Sequence, residues 1–264
     1  MSEISGSIRG FAEEPDRFVA VVPPARRIET DAFTLILSPS GTVSTVSGLR
    51  TTAANLDQTI AEVRGIVRQA GYTRTAWTLG PSCRPVGLTA MLLERGFVPA
   101  TSAPYEPEAT AMALVHPPPA APPDVETRRV RDLDEYLRTW RIGFEIFNLS
   151  PEDAAGWLAV APELWKQQDF VDRFTLVALI DGRLVGFAFA YAGPCGMLLG
   201  GAGVVASARG RGAYRALLGA RWAEAVQLGT PALVIQASAM SRPILTRAGF
   251  EEVCRVEVLE DPGL

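Results

Sequence analysis

Arg209-Gly210-Arg211-Gly212 is where residue types and spacing in this chain could do chemistry. The turn separates an uncharged run, Leu198 to Val205, from a run in which Ala213, Ala216, Leu217, Ala220 and Ala223 share one helical stripe. The first amides of a helix have no partner within it and lie at its electropositive end. Glycines let an anion approach the backbone closely, and Arg209 and Arg211 add charge, so the turn suits a phosphate or pyrophosphate. No Gly-Lys-Ser/Thr follows, which excludes a P-loop, and the G-x-G-x-x-G spacing of dinucleotide sites is missing. Taken alone, the turn reads equally as a tight strand-to-helix connection with solvated arginines.

The elements that must position this turn continue past it. Gly229 ends the helix as a left-handed residue would. Ala232 to Ser238 reads as a strand, Ser241 to Arg247 as a short helix, and Cys254 to Leu259 as a last strand. On these residues the chain resembles the GCN5-related N-acetyltransferases. Arg209-Gly210-Arg211-Gly212-Ala213 resembles that family's Arg/Gln-x-x-Gly-x-Gly/Ala acyl-CoA signature. Ala237-Ser238, followed by Pro243-Ile244-Leu245-Thr246-Arg247-Ala248-Gly249-Phe250, resembles its closing segment. The resemblance covers residues 124–260, with two departures: Tyr214 replaces the usual Gly or Ala, and Leu245 stands where many members carry a tyrosine general acid.

The resemblance implies acetyl-CoA as cofactor and direct acetyl transfer to a primary amine of a small molecule or peptide. Carried over residue by residue, Gly203, Val204 and Val205 would pair with the pantetheine amides. Arg209, Gly210, Arg211, Gly212, Ala213, Tyr214 and Arg215 would hold the pyrophosphate. An amide near Val204 would stabilise charge on the carbonyl oxygen. The strand 198–205 has no carboxylate, so proton transfer falls to Tyr191, Ser238 or Glu145, or to water. Glu145, Phe147, Trp157, Glu163 and Trp165 are candidates for the acceptor wall, although Trp and Phe at helical spacing also read as core. The alternative is a non-catalytic acyl-CoA-binding sensor or assembly module. A purely structural protein would leave the glycine turn unexplained.

Composition narrows the classes. Hydrophobic residues make up 48% and charged residues 20% of the 264, as in a globular chain. A net charge of −4 and a pI near 5.2 argue against nucleic acid as a partner. Cys83, Cys195 and Cys254 form no metal or CxxC spacing, and His116, the single histidine, precedes a proline run, so no metal site is expected. Scattered cysteines and no basic-apolar leader predict a cytoplasmic protein. Leu184 to Ala208 is uncharged and long enough to cross a bilayer. Its glycines and the alternation of Phe187, Phe189 and Tyr191 predict a buried hairpin instead, with no membrane partner.

The first half has its own pattern. Arg27 to Leu37 and Thr42 to Leu49 read as strands, Asn55-x-x-Gln58 as a capping box opening a helix that ends at Gly71, and Thr75 to Leu79 as a strand. Pro85 to Arg95 reads as a helix, and Ala109 to Val115 as the strand that closes the half. Ser82-Cys83-Arg84-Pro85 with Arg95-Gly96-Phe97 repeats Ser241-Arg242-Pro243 with Arg247-Ala248-Gly249-Phe250. Leu49 to Asn55, ahead of the first helix, has no glycine, so no cofactor is expected there. In the second half, Val125 to Val130 reads as a strand, Arg131-Asp132-Leu133-Asp134 opens a helix, and Ser150-Pro151-Glu152-Asp153 starts the next with a serine cap. The expected fold is α/β (α+β): two acetyltransferase-like domains, each a mixed, mostly antiparallel sheet flanked by helices. Residues 1–118 would form a truncated, degenerate copy, 119–123 a proline-rich linker, and 124–264 the cofactor-binding domain.

Overall fold

The structure is a computed structural model that describes residues 3–21, 23–101, 105–167 and 173–264. In chain order the elements are α1 (Gly6–Glu13), β1 (Arg26–Glu29), β2 (Thr34–Leu37), β3 (Ser44–Ser47), α2 (Leu56–Gln69), β4 (Thr75–Leu79), α3 (Leu88–Leu93), β5 (Val98–Pro99) and β6 (Glu108–Leu114). They continue with β7 (Glu126–Arg129), α4 (Leu133–Phe147), α5 (Pro151–Lys166), β8 (Arg173–Ile180), β9 (Arg183–Gly193) and β10 (Gly196–Val204). The last are α6 (Ala213–Gln227), β11 (Leu233–Ala237), α7 (Arg242–Arg247) and β12 (Glu251–Glu260).

All these strands join one sheet in the order β1-β2-β3-β4-β12-β6-β11-β10-β9-β8-β7, with β5 on β12. Pairing is antiparallel except for β3 with β4 and β10 with β11. The two parallel pairs repeat one pattern: strand, helix, parallel strand. Leu184 to Ala208 contributes β9 and β10, as the alternation predicted.

The centre of the sheet departs from the sequence reading. Ala109 to Val115 does not close the half that precedes it: β6 lies between β12 and β11. Antiparallel pairing on both its sides makes β11 and β12 parallel to each other, one strand apart, joined by α7. Likewise β4 and β6 are parallel and one strand apart, with β12 between them. Each β-α-β crossover thus leaves a slot that the other fills. Alternation along β6 cannot reveal this, because either slot offers the same hydrogen-bonding edge.

Local signals explain most helix ends. The Asp132 side chain accepts from the Glu135 amide at 2.8 Å, and Asn148 ends α4 in the left-handed region at φ 50°. Ser150 caps α5 through the Asp153 amide at 3.1 Å. Asn55 is a correction: its side chain makes no capping bond, and its own amide donates to Thr52 Oγ1 at 3.3 Å. The helix expected from Pro85 to Arg95 shortens to α3, because Gly87 enters it in the left-handed region. The sequence reading assigned nothing to α1, whose Ile8, Phe11 and Ala12 pack with Ile4 onto Ala111, Ala113, Val234 and Val256 of the central strands. Ser5 before an i, i+3/i+4 apolar spacing was the signal for it.

Helices α4 and α5 cover one face of the second half of the sheet, around Tyr136, Trp140, Phe187 and Phe189. Helix α6 covers the opposite face through Ala213, Ala216, Leu217 and Leu218. Glu135, 6% exposed, fixes α4 to β7 by two bonds from Arg128, at 2.7 and 2.8 Å. The Arg128 bonds hold the Glu135 carboxyl below its ordinary value of 4.5. A depressed carboxylate stabilises the fold above its unfolded pKa and loses that contribution as pH falls through its folded one. We expect Glu135→Gln to cost about 1.5–3 kcal/mol near neutral pH. The gap between variant and parent should close as pH falls below 4.5, measured by urea unfolding at several pH values.

Candidate functional site

The site begins where β10 leaves β11. Only Met197 and Leu198 pair with β11, opposite Leu233 and Val234, whereas β11 stays paired with β6 as far as Ala237. Beyond Leu198 the two parallel strands therefore diverge, and the β10 edge facing β11 is open.

Two features of β10 shape that opening. Its register against β9 shifts between Leu199 and Ala202, so Gly200 and Gly201 together oppose Phe189. This is a β-bulge, which bends the strand that carries it. Beyond the bulge, Val205 N donates to Val185 O at 2.9 Å, and Val204 pairs with Gly186. Antiparallel alternation then turns the N–H and C=O of Val204 and Ala202 away from β9, into the opening.

The strand ends at the basic turn. A 3-10 turn, Ala206–Ala208, leads to Gly210 at φ +78° and Gly212 at φ +82°. An L side chain is strained at such angles. Gly212 also has Pro122 against it: an added Cβ would lie 2.3 Å from Pro122 Cγ. Helix α6 follows with its first hydrogen bond from Ala216 N to Gly212 O, so the Ala213, Tyr214 and Arg215 amides have no helical acceptor. Arg209 donates from Nε to Val204 O at 3.4 Å. Arg211 stands 3.8 and 3.9 Å from the Asp124 and Asp181 carboxylates, all well exposed. Arg209 and Arg215 are exposed as well.

The structure thus sets Val204, Arg209, Gly210, Arg211, Gly212, Ala213, Tyr214 and Arg215 along one strand end, turn and helix start. Gly203 and Val205 share that strand end, but their backbone groups face β9, with Val205 N bonded to Val185 O, and not the opening. The three residues considered for proton transfer, Tyr191, Ser238 and Glu145, lie apart from one another. Tyr191 pairs with Leu198, six residues along β10 from Val204, which spans roughly 20 Å of strand. Ser238 follows β11 on the far lip of the opening, and its Oγ accepts from the Ser241 amide at 3.2 Å. Leu245, on α7, is fully buried in a core with Leu218, Leu233 and Phe250.

The acceptor-wall candidates divide the same way. Phe147 stands over Gly201 and Ile146 over Gly203, where an added Cβ would lie 3.3 and 2.5 Å from their side chains. Trp157 stacks on Trp140, with centroids 5.0 Å apart, and Trp165 tilts against Tyr136 at 5.5 Å. Glu145 and Glu163 face solvent, Glu163 bonded to Lys166 and Gln167. Among the described residues no group of His, Cys, Asp or Glu could hold a metal, and no helix is long and apolar enough to cross a membrane.

The equivalent place in the first half is differently filled. After β3 and β4, Arg50 Nη2 donates to Glu14 at 2.8 Å, and Glu13 accepts from the Ser82 amide at 2.7 Å. Both carboxylates come from the C-terminal end of α1.

No protein-family model matches the chain, and no curated protein does. Solved structures do match. A GCN5-related N-acetyltransferase from Kribbella flavida superposes with a TM-score of 0.67 at 16% identity, over 98% of this chain and 97% of its own. One from Sphaerobacter thermophilus gives 0.60 at 17% identity, over 88% and 80% of the two chains. A tandem GNAT protein from the clavulanic acid biosynthesis pathway gives 0.60 at 15%, over 99% and 89%. The chain therefore has the fold of the GCN5-related N-acetyltransferases, in a tandem form that runs nearly its whole length.

Proposed function

We propose that this chain is an acetyl-CoA-dependent N-acetyltransferase acting on a primary amine, with its cofactor held by residues of 124–264. One observation carries the reading: the β10 edge is open where the strands diverge and leads directly into a turn with two left-handed glycines at a helix start. A long ligand with amides at one end and a pyrophosphate at the other matches that sequence of groups. The Ala202 and Val204 backbone would pair with its amides, and the amides of Ala213 to Arg215, with Arg209 and Arg211, would meet its phosphates.

Acetyl-CoA supplies an acyl group already activated as a thioester. The protein's part is to bind, orient and stabilise. The amides of β10 that face the opening are donors for an oxygen on which charge develops. Phe147, over Gly201, excludes water on the side from which an amine would approach. Over the whole reaction an amide bond replaces the thioester bond, the amine gives one proton to water, and the thiolate takes one up. Orientation alone can supply much of the rate, so no dedicated acid is required.

Leu245 in place of a tyrosine acid, and the lack of a carboxylate on strand 198–205, favour a second reading, an acyl-CoA sensor that transfers nothing. Calorimetry with acetyl-CoA, followed by thiol release with a panel of amines, separates the two. We expect binding, and thiol release with some amines faster than hydrolysis. Binding without release from a broad panel would favour the sensor, and no binding would leave only the fold.

A further inference from the structure

Under α4 and α5 lies a group of buried hydrogen-bond donors that the proposed transfer does not use. Arg173 opens β8 and is 8% exposed, yet its Nε has no hydrogen-bond partner. Among the described residues, no carboxylate pairs with it. Its guanidinium lies over the Tyr191 ring, 5.1 Å from the centroid. On the same sheet face, Thr175 Oγ1 is buried and unpartnered, opposite Phe189. From α4 above, Tyr136 Oη and Trp140 Nε1 are buried and close to each other, with no well-aligned hydrogen bond to either. Burial pushes the Tyr136 hydroxyl up while the charge of Arg173 pulls it down, so the two groups are within electrostatic reach.

Arginine and tryptophan only donate, and tyrosine and threonine hydroxyls can donate as well. The Arg173 Nε is buried without an acceptor, and each buried donor left unpaired is unfavourable. The missing partner is therefore an acceptor with negative charge. A planar carboxylate matches a guanidinium fork, and one positive charge balances one negative charge better than a phosphate dianion.

The location ties this donor group to the proposed chemistry. Tyr191, beneath Arg173, pairs with Leu198, and an added Cβ on Gly200 would lie 2.7 Å from the Tyr191 ring. The donors and the β10 bulge are thus separated by the width of β9, about 10 Å from β8 to β10. An acceptor anchored here would present its amine to the bulge.

We infer that Arg173, with Tyr136, Trp140 and Thr175, binds the carboxylate of the acceptor, so that the substrate class is amino acids: primary amines carrying a free carboxylate. The inference rests on the transferase reading for its amine, but not for the carboxylate site itself.

The test compares acid and amide partners with the intact chain and acetyl-CoA. The series runs from glycine through β-alanine and 4-aminobutyrate to lysine, each against its carboxamide, with thiol release as readout. We expect kcat/KM for the best acid to exceed that of its amide by about 100-fold or more, as when a buried polar group loses its partner. Arg173→Gln should bring acid and amide within a few-fold of each other, and Tyr136→Phe should narrow the ratio by about tenfold. In parallel, tryptophan fluorescence follows titration with the same acids and amides, since Trp140, Trp157 and Trp165 surround the site. Saturable quenching by acids alone, lost in Tyr136→Phe, would support the carboxylate site even without turnover, and only the transferase reading would then fall. Equal turnover of acids and amides would overturn the inference and leave the transferase intact. Neither turnover nor acid-specific quenching would overturn both.

Discussion

Residues 124–264 expressed without the first half should not fold. In that fragment β11 and β12 are parallel strands one position apart, joined by α7, with nothing between them. The gap is about 10 Å wide, two strand spacings. The strand that fills it, β6, buries Ala111, Met112, Ala113 and Leu114 at no more than 1% exposure. Without it, both strands lose their ladders in the middle of the sheet, where no water can replace them cheaply. The converse fragment, 1–118, has the same defect between β4 and β6, which β12 fills. We expect each fragment alone to aggregate or to show no cooperative thermal transition. Co-expressed, the two should form a soluble complex with a single transition, because every strand then regains its partners. A folded, monomeric 124–264 with a sharp transition would contradict this. Should the prediction hold, the halves 1–118 and 124–264 joined through 119–123 are best regarded as repeats of one pattern that share a sheet, and not as independent domains.

Gly212→Asp should abolish acetyl-CoA binding while leaving the fold in place. Three effects act at that position in the same direction. The backbone stands at φ +82°, which costs an L residue of the order of 1 kcal/mol. A Cβ there would lie 2.3 Å from Pro122 Cγ, so turn or proline segment must move. The new carboxylate would also take up the free amides of Ala213 to Arg215, which the pyrophosphate reading assigns to the cofactor. We expect the dissociation constant to rise by about 100-fold or more, equivalent to about 2.7 kcal/mol. Thermal stability should fall by only a few degrees, since a helix N-terminus gains from a negative charge. Arg211→Glu should act in the same direction through charge alone. Unchanged acetyl-CoA affinity in Gly212→Asp would remove the turn from the cofactor site.

How much of this was legible in the sequence differs by element. The turn was legible in full, because its chemistry is local. Two glycines and two arginines between an apolar strand and an alanine-striped helix describe a backbone conformation, and the structure has both glycines in the left-handed region. The cap Ser150, the helix start at Arg131 to Asp134 and the stops at Gly71 and Gly229 were legible for the same reason. The short α1 was not read, since eight residues carry too few turns for periodicity to stand out. Asn55 has the residue type of a cap but does not act as one, because its backbone is already helical at φ −97° and ψ −2°.

By itself the sequence determined most of the elements and their order, the repeat and the residues of the glycine turn, all of which depend on neighbours within a few positions. Only the tertiary structure decided that β6 and β12 fill each other's slots, that the bulge lies at Gly200 and Gly201, and that Arg173 is buried beside Tyr136 and Tyr191 with no counter-charge among the described residues. The physical reason is common to these. A strand's pattern states which face is buried but not which edge it meets, and a charged residue's environment is set by side chains that are distant in sequence.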